Sequence, residues 1–245
     1  MKRNLWSIAL TAVLAALLPS ALASAQDLHK TYNIASGGHI LVQNISGEIK
    51  ITGYGGSTIV VDAVRVGRDR DLVKIEETST DNQLELRVQY PESGNCQASV
   101  NFAVQVPAGV DFNFDRLGSV SGPIGISDVQ GLIHANTVSG SISLQNVSGT
   151  VEASTVSGRV DAQLQKVSGT GALKFTSVSG SIQARIPAGG LGNIDMSTLS
   201  GGIETDFPIA VEENRPGRSA HGTVGTGPNS IHITTVSGKI NLLKN

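Results

Sequence analysis

Two acidic residues near the C-terminal end of the chain have a spacing that glycosidic catalysis would need. Glu204 and Asp206 alternate along a predicted strand, which places both carboxylates on one side of it, about 7 Å apart by the rise of an extended chain. Polysaccharide hydrolysis uses two such groups, with Glu48, Asp111 and Asp115 as the other candidate acids. A single outward pair is more typical of a solvated surface. The sequence therefore favours a protein that is not an enzyme.

The histidines and the remaining aspartates do not cluster as metal ligands would. A metal site needs several ligating side chains that converge on one point, but the five histidines are spread from His29 to His232. Calcium-binding repeats carry an aspartate at one fixed place in every unit, whereas Asp128, Asp161 and Asp195 occupy different places. We expect no metal and no cofactor, and we expect His232 to point outward from its strand.

Tyr54, Cys96 and a glycine-rich segment are the remaining candidates for chemistry. Tyr54 lies between glycines and is the candidate ligand-binding residue, because exposed aromatic rings stack on sugars; the alternative is that it packs against the neighbouring part of the fold. Cys96 is the single cysteine, so a disulfide to another molecule stays open. The segment 222–227 is rich in glycine, but a strand and not a helix is predicted after it, which indicates a loop and not a phosphate site.

A short repeat dominates the second half of the chain. The motif Val-Ser-Gly, or a close variant, occurs ten times, and from Gly122 its glycines follow in steps of 9, 9, 9, 9, 11, 11, 21 and 37 residues. The residue two positions after the glycine is Val or Ile in nine of the ten motifs, and the residue two positions before it is always Val, Ile or Leu. This alternation is typical of half-buried strands.

The unit lengths predict an all-β fold: a single-stranded β-solenoid, or β-helix, of stacked short strands in 9- and 11-residue units. Each unit would comprise seven or nine strand residues and a two-residue corner, such as Asn136-Thr137 or Gln145-Asn146. The corners lack glycine, and Thr is poor at the positive φ of tight hairpins, which favours stacked coils over an antiparallel meander. We expect two units per coil, with the repeated valines and glycines facing inward and the serines outward.

The chain is predicted to be one continuous stack behind an export signal. Lys2 and Arg3 precede an apolar run that Pro19 ends, and small residues follow up to Ala25, which is the layout of a secretory signal peptide. The run is too short for a typical membrane span. We therefore expect residues 1–25 to be a signal peptide and residues 26–245 to form one domain, with no stable membrane insertion after cleavage.

An ordered set of motifs resembles the bacterial putative-adhesin family of secreted β-solenoid domains. The set consists of Gly-His-Ile-Leu-Val at 38–42, Ser-Gly-Glu-Ile-Lys-Ile at 46–51, Gly-Tyr-Gly at 53–55, Val-Gln-Val-Pro-Ala-Gly at 104–109 and the Ser-Gly repeats. The resemblance covers residues 28–243. It implies an exported protein of stacked strands and carries over no catalytic residue.

Composition and charge narrow the function classes. A net charge of −2 without a basic block argues against nucleic acid as a partner. We expect a non-enzymatic exported protein, periplasmic or on the cell surface, that serves as an adhesin-like scaffold or binding surface for an envelope protein or glycan. The alternatives are a periplasmic component of an envelope-stress sensing system and a polysaccharide-active β-helix enzyme. Open solenoid ends also predict self-association through those ends.

Overall fold

The computed structural model describes residues 27–92, 95–167, 171–213 and 216–245, and the predicted signal peptide lies outside them. This part of the chain holds one short 3-10 helix, Arg70–Leu72, and no α-helix. Its strands, in chain order, are β1 (Leu28–Tyr32), β2 (His39–Gln43), β3 (Ile49–Tyr54), β4 (Ile59–Gly67), β5 (Lys74–Thr80), β6 (Gln83–Gln89), β7 (Ala98–Pro107), β8 (Asp111–Ser121), β9 (Ile124–Ser127), β10 (Gln130–Ser139), β11 (Ile142–Ser157), β12 (Val160–Lys166), β13 (Ala172–Ser179), β14 (Ile182–Ile186), β15 (Leu191–Ser200), β16 (Ile203–Thr205), β17 (Val211–Glu213), β18 (Arg218–Thr223), β19 (Asn229–Ser237) and β20 (Ile240–Lys244).

Parallel strands form the two faces of a flattened coil. Face A runs in the order β6, β2, β8, β10, the second part of β11, β13, β19 and β15. Face B runs in the order β7, β3, β9, the first part of β11, β12, β14, β20 and β16. One strand from each face makes one coil, and β11 bends from face B to face A.

The register along face B confirms the predicted β-solenoid and its unit lengths. Ile124 lies beside Ile142, and Ile142 beside Val160, so a coil there advances by 18 residues, or two nine-residue units. Val160 lies beside Ile182, an advance of 22 residues, or two eleven-residue units. Because both advances are even, inward side chains stay inward from coil to coil.

The order of the coils departs from the order of the chain at both ends. The coil of β6 and β7 lies outside the coil of β2 and β3, although it comes later in the sequence. At the other end, the C-terminal β19 and β20 lie between β13 and β14 on one side and β15 and β16 on the other. The coil of β2 and β3 and the C-terminal coil of β19 and β20 therefore each have neighbouring coils on both sides.

Antiparallel strands cover the edges of the outermost coils. At the first end, β5 pairs with β6, and β4 pairs with β7 and carries β1 on its outer side. At the other end, β18 pairs with β15, and β17 pairs with β18. These covering strands carry charged residues, as protected sheet edges do. The predicted association through the solenoid ends stays a prediction.

Glu77 joins β5 to β1 at the first end of the stack. Its carboxylate accepts hydrogen bonds from Lys30 Nζ and from Tyr32 Oη, the latter at 2.7 Å. Burial works to raise the pKa of Glu77, but the hydrogen bonds from Lys30 and Tyr32 outweigh it and hold the pKa below its ordinary value. Burial and the neighbouring carboxylate raise the pKa of Tyr32.

The core is a single column of apolar side chains between the two faces. The nine Val and Ile residues two positions after the repeat glycines are all buried, as predicted, at Ile49, Ile124, Ile133, Ile142, Val151, Val160, Ile182, Ile203 and Ile240. Phe112 and Phe114 fill the wider coil of β8 and contact each other edge to face, with ring centroids 6.3 Å apart.

Two kinds of corner alternate along the chain, and only one matches the prediction. At Gln145-Asn146 the two residues are exposed, Asn146 adopts a positive φ of 53°, and Val147 after them is buried, as expected. The prediction was wrong at Asn136-Thr137, where β10 continues, Thr137 is buried and Val138 is exposed. The chain turns there over residues 138–141. The inward positions are odd-numbered before this corner, as at Thr137, and even-numbered after it, as at Ile142.

The repeat glycines leave no room for a side chain, but not because they face the interior. A Cβ on Gly158 would lie 2.0 Å from the carbonyl oxygen of Gly140 in the adjacent coil, and one on Gly140 would lie 2.1 Å from that of Gly122. The inward orientation predicted for these glycines is therefore wrong. Each of the nine repeat glycines that the structure describes faces along the stack toward the backbone of its neighbour, which only a residue without a Cβ permits.

Candidate binding surface

Seven exposed apolar side chains form a continuous line along one edge of the stack. Each coil contributes one of them, directly before the Ser-Gly of a motif and at a corner like the one that follows Thr137. Each of these side chains is 43% to 52% exposed. In stack order this valine ridge consists of Ile45, Val120, Val138, Val156, Val178, Val236 and Leu199. The inward orientation predicted for the motif valines is wrong at these seven, and correct at Val129, Val147 and Val167.

Buried hydroxyl groups set the orientation of the ridge. Thr155, directly before Val156, is buried, and its Oγ1 donates a hydrogen bond of 3.1 Å to the carbonyl oxygen of Gly140 in the adjacent coil. Thr235 and Thr198 donate in the same way to glycine carbonyl oxygens, each at 3.1 Å. Because the hydroxyl-bearing side chain points inward and bonds across coils, the next side chain of the strand must point outward.

A groove follows the ridge on its face A side. Its floor is a row of outward residues that lie in register across neighbouring strands, here called the polar row: Arg87, Gln43, Gly118, Asn136, Ser154, Thr176, Thr234, Ser197, Ser219 and Glu212. The groove between this row and the ridge has a volume of about 780 Å³ from Gln43 to Val178. A second section of about 340 Å³ continues between Ser197, Thr234 and Leu199.

The polar row has a cation at one end and an anion at the other. Arg87 is exposed at the first end, where it also contacts Glu85 at 2.7 Å, and exposed Arg116 lies near it on β8. Glu212 is exposed at the other end, on β17. Between these ends the row consists of small, uncharged residues, so the groove combines an apolar wall, a floor of hydrogen-bonding groups and opposite charges at its two ends.

Comparison with known proteins agrees with this architecture. The family model described as Toastrack DUF4097 matches residues 39–243. The chain belongs to the Toastrack DUF4097 family. The match confirms the resemblance to putative adhesins that the sequence motifs indicated.

Solved structures from several bacteria match the chain at low identity, and no curated protein matches it. A putative cell adhesion protein from Clostridium sporogenes ATCC 15579 is 11% identical, with a TM-score of 0.49, covering 89% of this chain and 99% of that one. A putative adhesin from Bacteroides fragilis NCTC 9343 is 13% identical, with a TM-score of 0.35, covering 88% and 96%. Another from Parabacteroides distasonis ATCC 8503 is 13% identical, with a TM-score of 0.25, covering 89% and 96%.

Tyr54 lies away from the groove of this Toastrack protein. It ends β3 on face B, is half-buried, and its hydroxyl donates a hydrogen bond of 2.7 Å to the carbonyl oxygen of Thr58. Its ring lies over Gly56, where an added Cβ would come within 2.3 Å of it. The ring thus packs against its own loop, and a role in ligand binding stays a prediction.

The candidate acids are dispersed, and several are occupied by other groups. Glu204 pairs with Lys239 Nζ at 2.5 Å, and Asp206 lies just beyond β16 and accepts a hydrogen bond of 3.1 Å from the backbone N–H of Lys244. Asp115 contacts His39 Nδ1. Glu48 and Asp111 are exposed and lie on other parts of the surface. The structure therefore gives Glu204 and Asp206 separate partners and does not bring the other acids to them.

Four of the five histidines, His29, His39, His221 and His232, lie on the outer surface beside aspartates. His232 points outward, as predicted, and Asp195 lies between it and His221, with carboxylate oxygens 3.9 Å and 3.3 Å from the two Nδ1 atoms. His29 contacts Asp62 at 2.5 Å. Within the described residues, no group of three or more His, Cys, Asp or Glu side chains has an arrangement that could hold a metal ion.

Cys96 and the glycine-rich segment 222–227 make contacts within the fold. Cys96 is half-buried against the core, with its Sγ 4.0 Å from the carbonyl oxygen of Asp69. The glycine-rich segment 222–227 leads from β18 to β19 as a loop, and Gly227 N–H donates to the carbonyl oxygen of Leu191 at 3.0 Å.

For residues 27–92, 95–167, 171–213 and 216–245, no helix has the length and apolar character to cross a membrane.

The sequence analysis missed the valine ridge, although a signal for it exists. The residue before an exposed motif valine is Ser or Thr in six of seven cases, whereas Asp128, Asn146 and Lys166 precede the three buried ones. In the seventh case the preceding residue is Asn44, whose side-chain amide donates a hydrogen bond of 2.7 Å to the carbonyl oxygen of Val100 in the adjacent coil. A small, buried polar side chain thus marks the corners at which the next residue is exposed, and at six of the seven it donates a hydrogen bond to the adjacent coil; the exception is Ser119.

Proposed function

We propose that this protein is a non-enzymatic, exported component of the bacterial cell envelope, in the periplasm or on the cell surface. A rigid stack of coils would present the valine ridge and its groove to an envelope protein or glycan. The observation that carries the proposal is the ridge itself: apolar side chains in register over seven coils are an unusual surface for a protein to leave exposed.

The shape of the groove supports binding to an extended partner. The polar row supplies hydroxyl and amide groups at regular intervals of about 4.8 Å, the spacing of neighbouring strands. The apolar wall beside it favours burial against a partner. Rigid presentation also lowers the entropic cost of binding, since the surface is ordered before the partner arrives.

The experiment compares binding and turnover for matched variants. Purified protein is incubated with envelope fractions and a panel of polysaccharides, and both co-sedimentation and new reducing ends are measured. We expect binding without turnover, and we expect Val138→Asp with Val156→Asp to weaken it at least about tenfold, because a charge in an apolar contact must be desolvated. The control, Gln105→Asp with Gln163→Asp, adds the same charge to face B.

Two results would contradict the proposal. One is the formation of polysaccharide products that Glu204→Gln abolishes, which would indicate an enzyme. The other is equal binding by the ridge variant and the face B control, which would place the binding surface elsewhere.

A further inference from the structure

We propose that the partner of the valine ridge is a second copy of this chain, in a dimer whose two stacks run in opposite directions. The inference rests on the proposed function, because a second copy of this chain is itself an envelope protein under that proposal and would be the partner of the same surface. It also differs from association through the solenoid ends, since the contact lies along the side of the stack.

The length of the surface is sufficient for a stable dimer. The polar row crosses ten strands, which corresponds to about 43 Å at the usual distance between neighbouring strands. Three outward rows of side chains, each about 6.7 Å wide, make up the strip, and because the ridge crosses seven of the ten strands the strip covers about 750 Å². A standard protein interface buries about 800 Å² on each partner.

The spacing of the ridge also suits an identical ridge. Its side chains repeat once per coil, at the strand spacing of about 4.8 Å, whereas alternate side chains of one extended peptide repeat at about 6.7 Å. A twofold axis between the coils of Val156 and Val178 places each ridge residue from Val120 to Leu199 opposite a ridge residue of the copy. Such a self-complementary contact is the usual form of a twofold dimer.

The charges along the polar row favour the opposite orientation of the two stacks. Arg87 is first in the row and Glu212 is last. The twofold axis described above brings Arg87 of one copy to Glu212 of the other, at both ends of the interface. If the stacks ran in the same direction, Arg87 would meet Arg87 and Glu212 would meet Glu212, and like charges in an interface cost affinity.

The next outward row of face A also holds opposite charges, although its first residue is Glu85 and its last is His221. It contains Arg116 on β8 and Asp195 on β15, with Glu152 and Lys174 in adjacent central strands. The same axis places Arg116 opposite Asp195, and Glu152 opposite Lys174. Glu152 and Lys174 already pair within one copy at 2.7 Å, so the centre of the dimer would hold a network of four charges. The contacts of Arg116 with Asp195 and of Glu152 with Lys174 thus favour the same orientation as the contact of Arg87 with Glu212.

Charge exchange tests the inference in the purified protein. Sedimentation velocity over a wide range of concentrations should show a monomer–dimer equilibrium for the wild type. Arg87→Glu and Glu212→Arg should each weaken dimerisation about tenfold or more, because each places like charges together twice. The double variant Arg87→Glu with Glu212→Arg should recover dimerisation. Equal melting temperatures in dilute solution, where the wild type is also a monomer, confirm that the variants remain folded.

A disulfide test reports the orientation directly, in a background that carries Cys96→Ser. Under oxidation, Val156→Cys should form a covalent dimer, because the equivalent residues lie about one strand spacing apart across the axis. Ile45→Cys should not, because its equivalents would be about 34 Å apart. Cross-linking of both variants at equal rates would contradict the opposite orientation.

The outcomes separate this inference from the proposed function. A wild type that stays monomeric, or a double variant that fails to recover, overturns the dimer. If the ridge variant then still loses binding to an envelope protein, glycan or lipid, the proposed function holds and that molecule is the partner. A dimer that forms while the ridge variant binds envelope fractions normally overturns the proposed function instead.

Discussion

At the scale of single residues, the absence of a side chain decides how close the coils can lie. The ideal Cβ positions on Gly140, Gly158 and Gly180 all fall within 2.1 Å of a glycine carbonyl oxygen in the adjacent coil. These positions lack a positive φ, so the requirement comes from space and not from backbone conformation. The sequence predicted that these glycines had no room, but their orientation toward the next coil follows only from the stacking geometry.

Replacing a repeat glycine should therefore be far more costly than replacing a glycine elsewhere in the stack. We expect Gly158→Ala to lower the free energy of unfolding by about 2–3 kcal/mol or more, because the backbone of two coils must separate. Gly118→Ala is the matched control, since its added Cβ has no neighbour within 4 Å; it should change stability by less than about 0.5 kcal/mol. Urea unfolding of both variants measures the difference, and equal losses would contradict this account of the glycines.

At the scale of elements, the Val-Ser-Gly units were predictable as strands, but the coil order at the ends was not. Period-two alternation identifies strands and inward residues such as Ile142 and Ile240 wherever neighbouring coils repeat it. Nothing in the local pattern of β20 indicates that it lies between β14 and β16, because any of these strands presents similar alternating residues to a neighbour. The order of the strands depends on which of them pair across long sequence distances. Similar repeats can pair in more than one order, so the repeat alone does not determine it.

The contact between β1 and β5 should make the first end of the stack sensitive to acid. The pKa of Glu77 lies below its ordinary value of 4.5 in the folded protein, so the folded state binds the proton less readily than the unfolded state. The resulting stability is fully present above pH 4.5 and is lost as pH falls through the lower, folded pKa.

The variant Glu77→Gln isolates this effect. We expect it to be less stable than the wild type at pH 7, and the difference to diminish below pH 4.5 as the wild-type carboxylate takes up its proton. Thermal unfolding over pH 3 to 7 measures it. A difference that stays constant across this range would show that the hydrogen bonds and not the charge of Glu77 support the contact.

At the scale of the whole molecule, the repeats produce two surfaces from one motif. Val147-Ser148-Gly149 and Val156-Ser157-Gly158 are identical in sequence, yet Val147 is fully buried and Val156 is 48% exposed. Alternating corners send successive motif valines into the core and onto the ridge. The candidate binding surface could not be predicted from the motif alone, because its geometry depends on which corner each motif occupies.

Thiol labelling of the native protein tests this central claim most directly. In a Cys96→Ser background and in dilute solution, Cys at position 156 should react with a thiol reagent at a rate close to that of the unfolded chain. Cys at position 147 should react only when the protein unfolds, because the native stack buries that position. Equal labelling rates for the two positions in the native protein would contradict the alternation of corners, and with it the existence of the valine ridge.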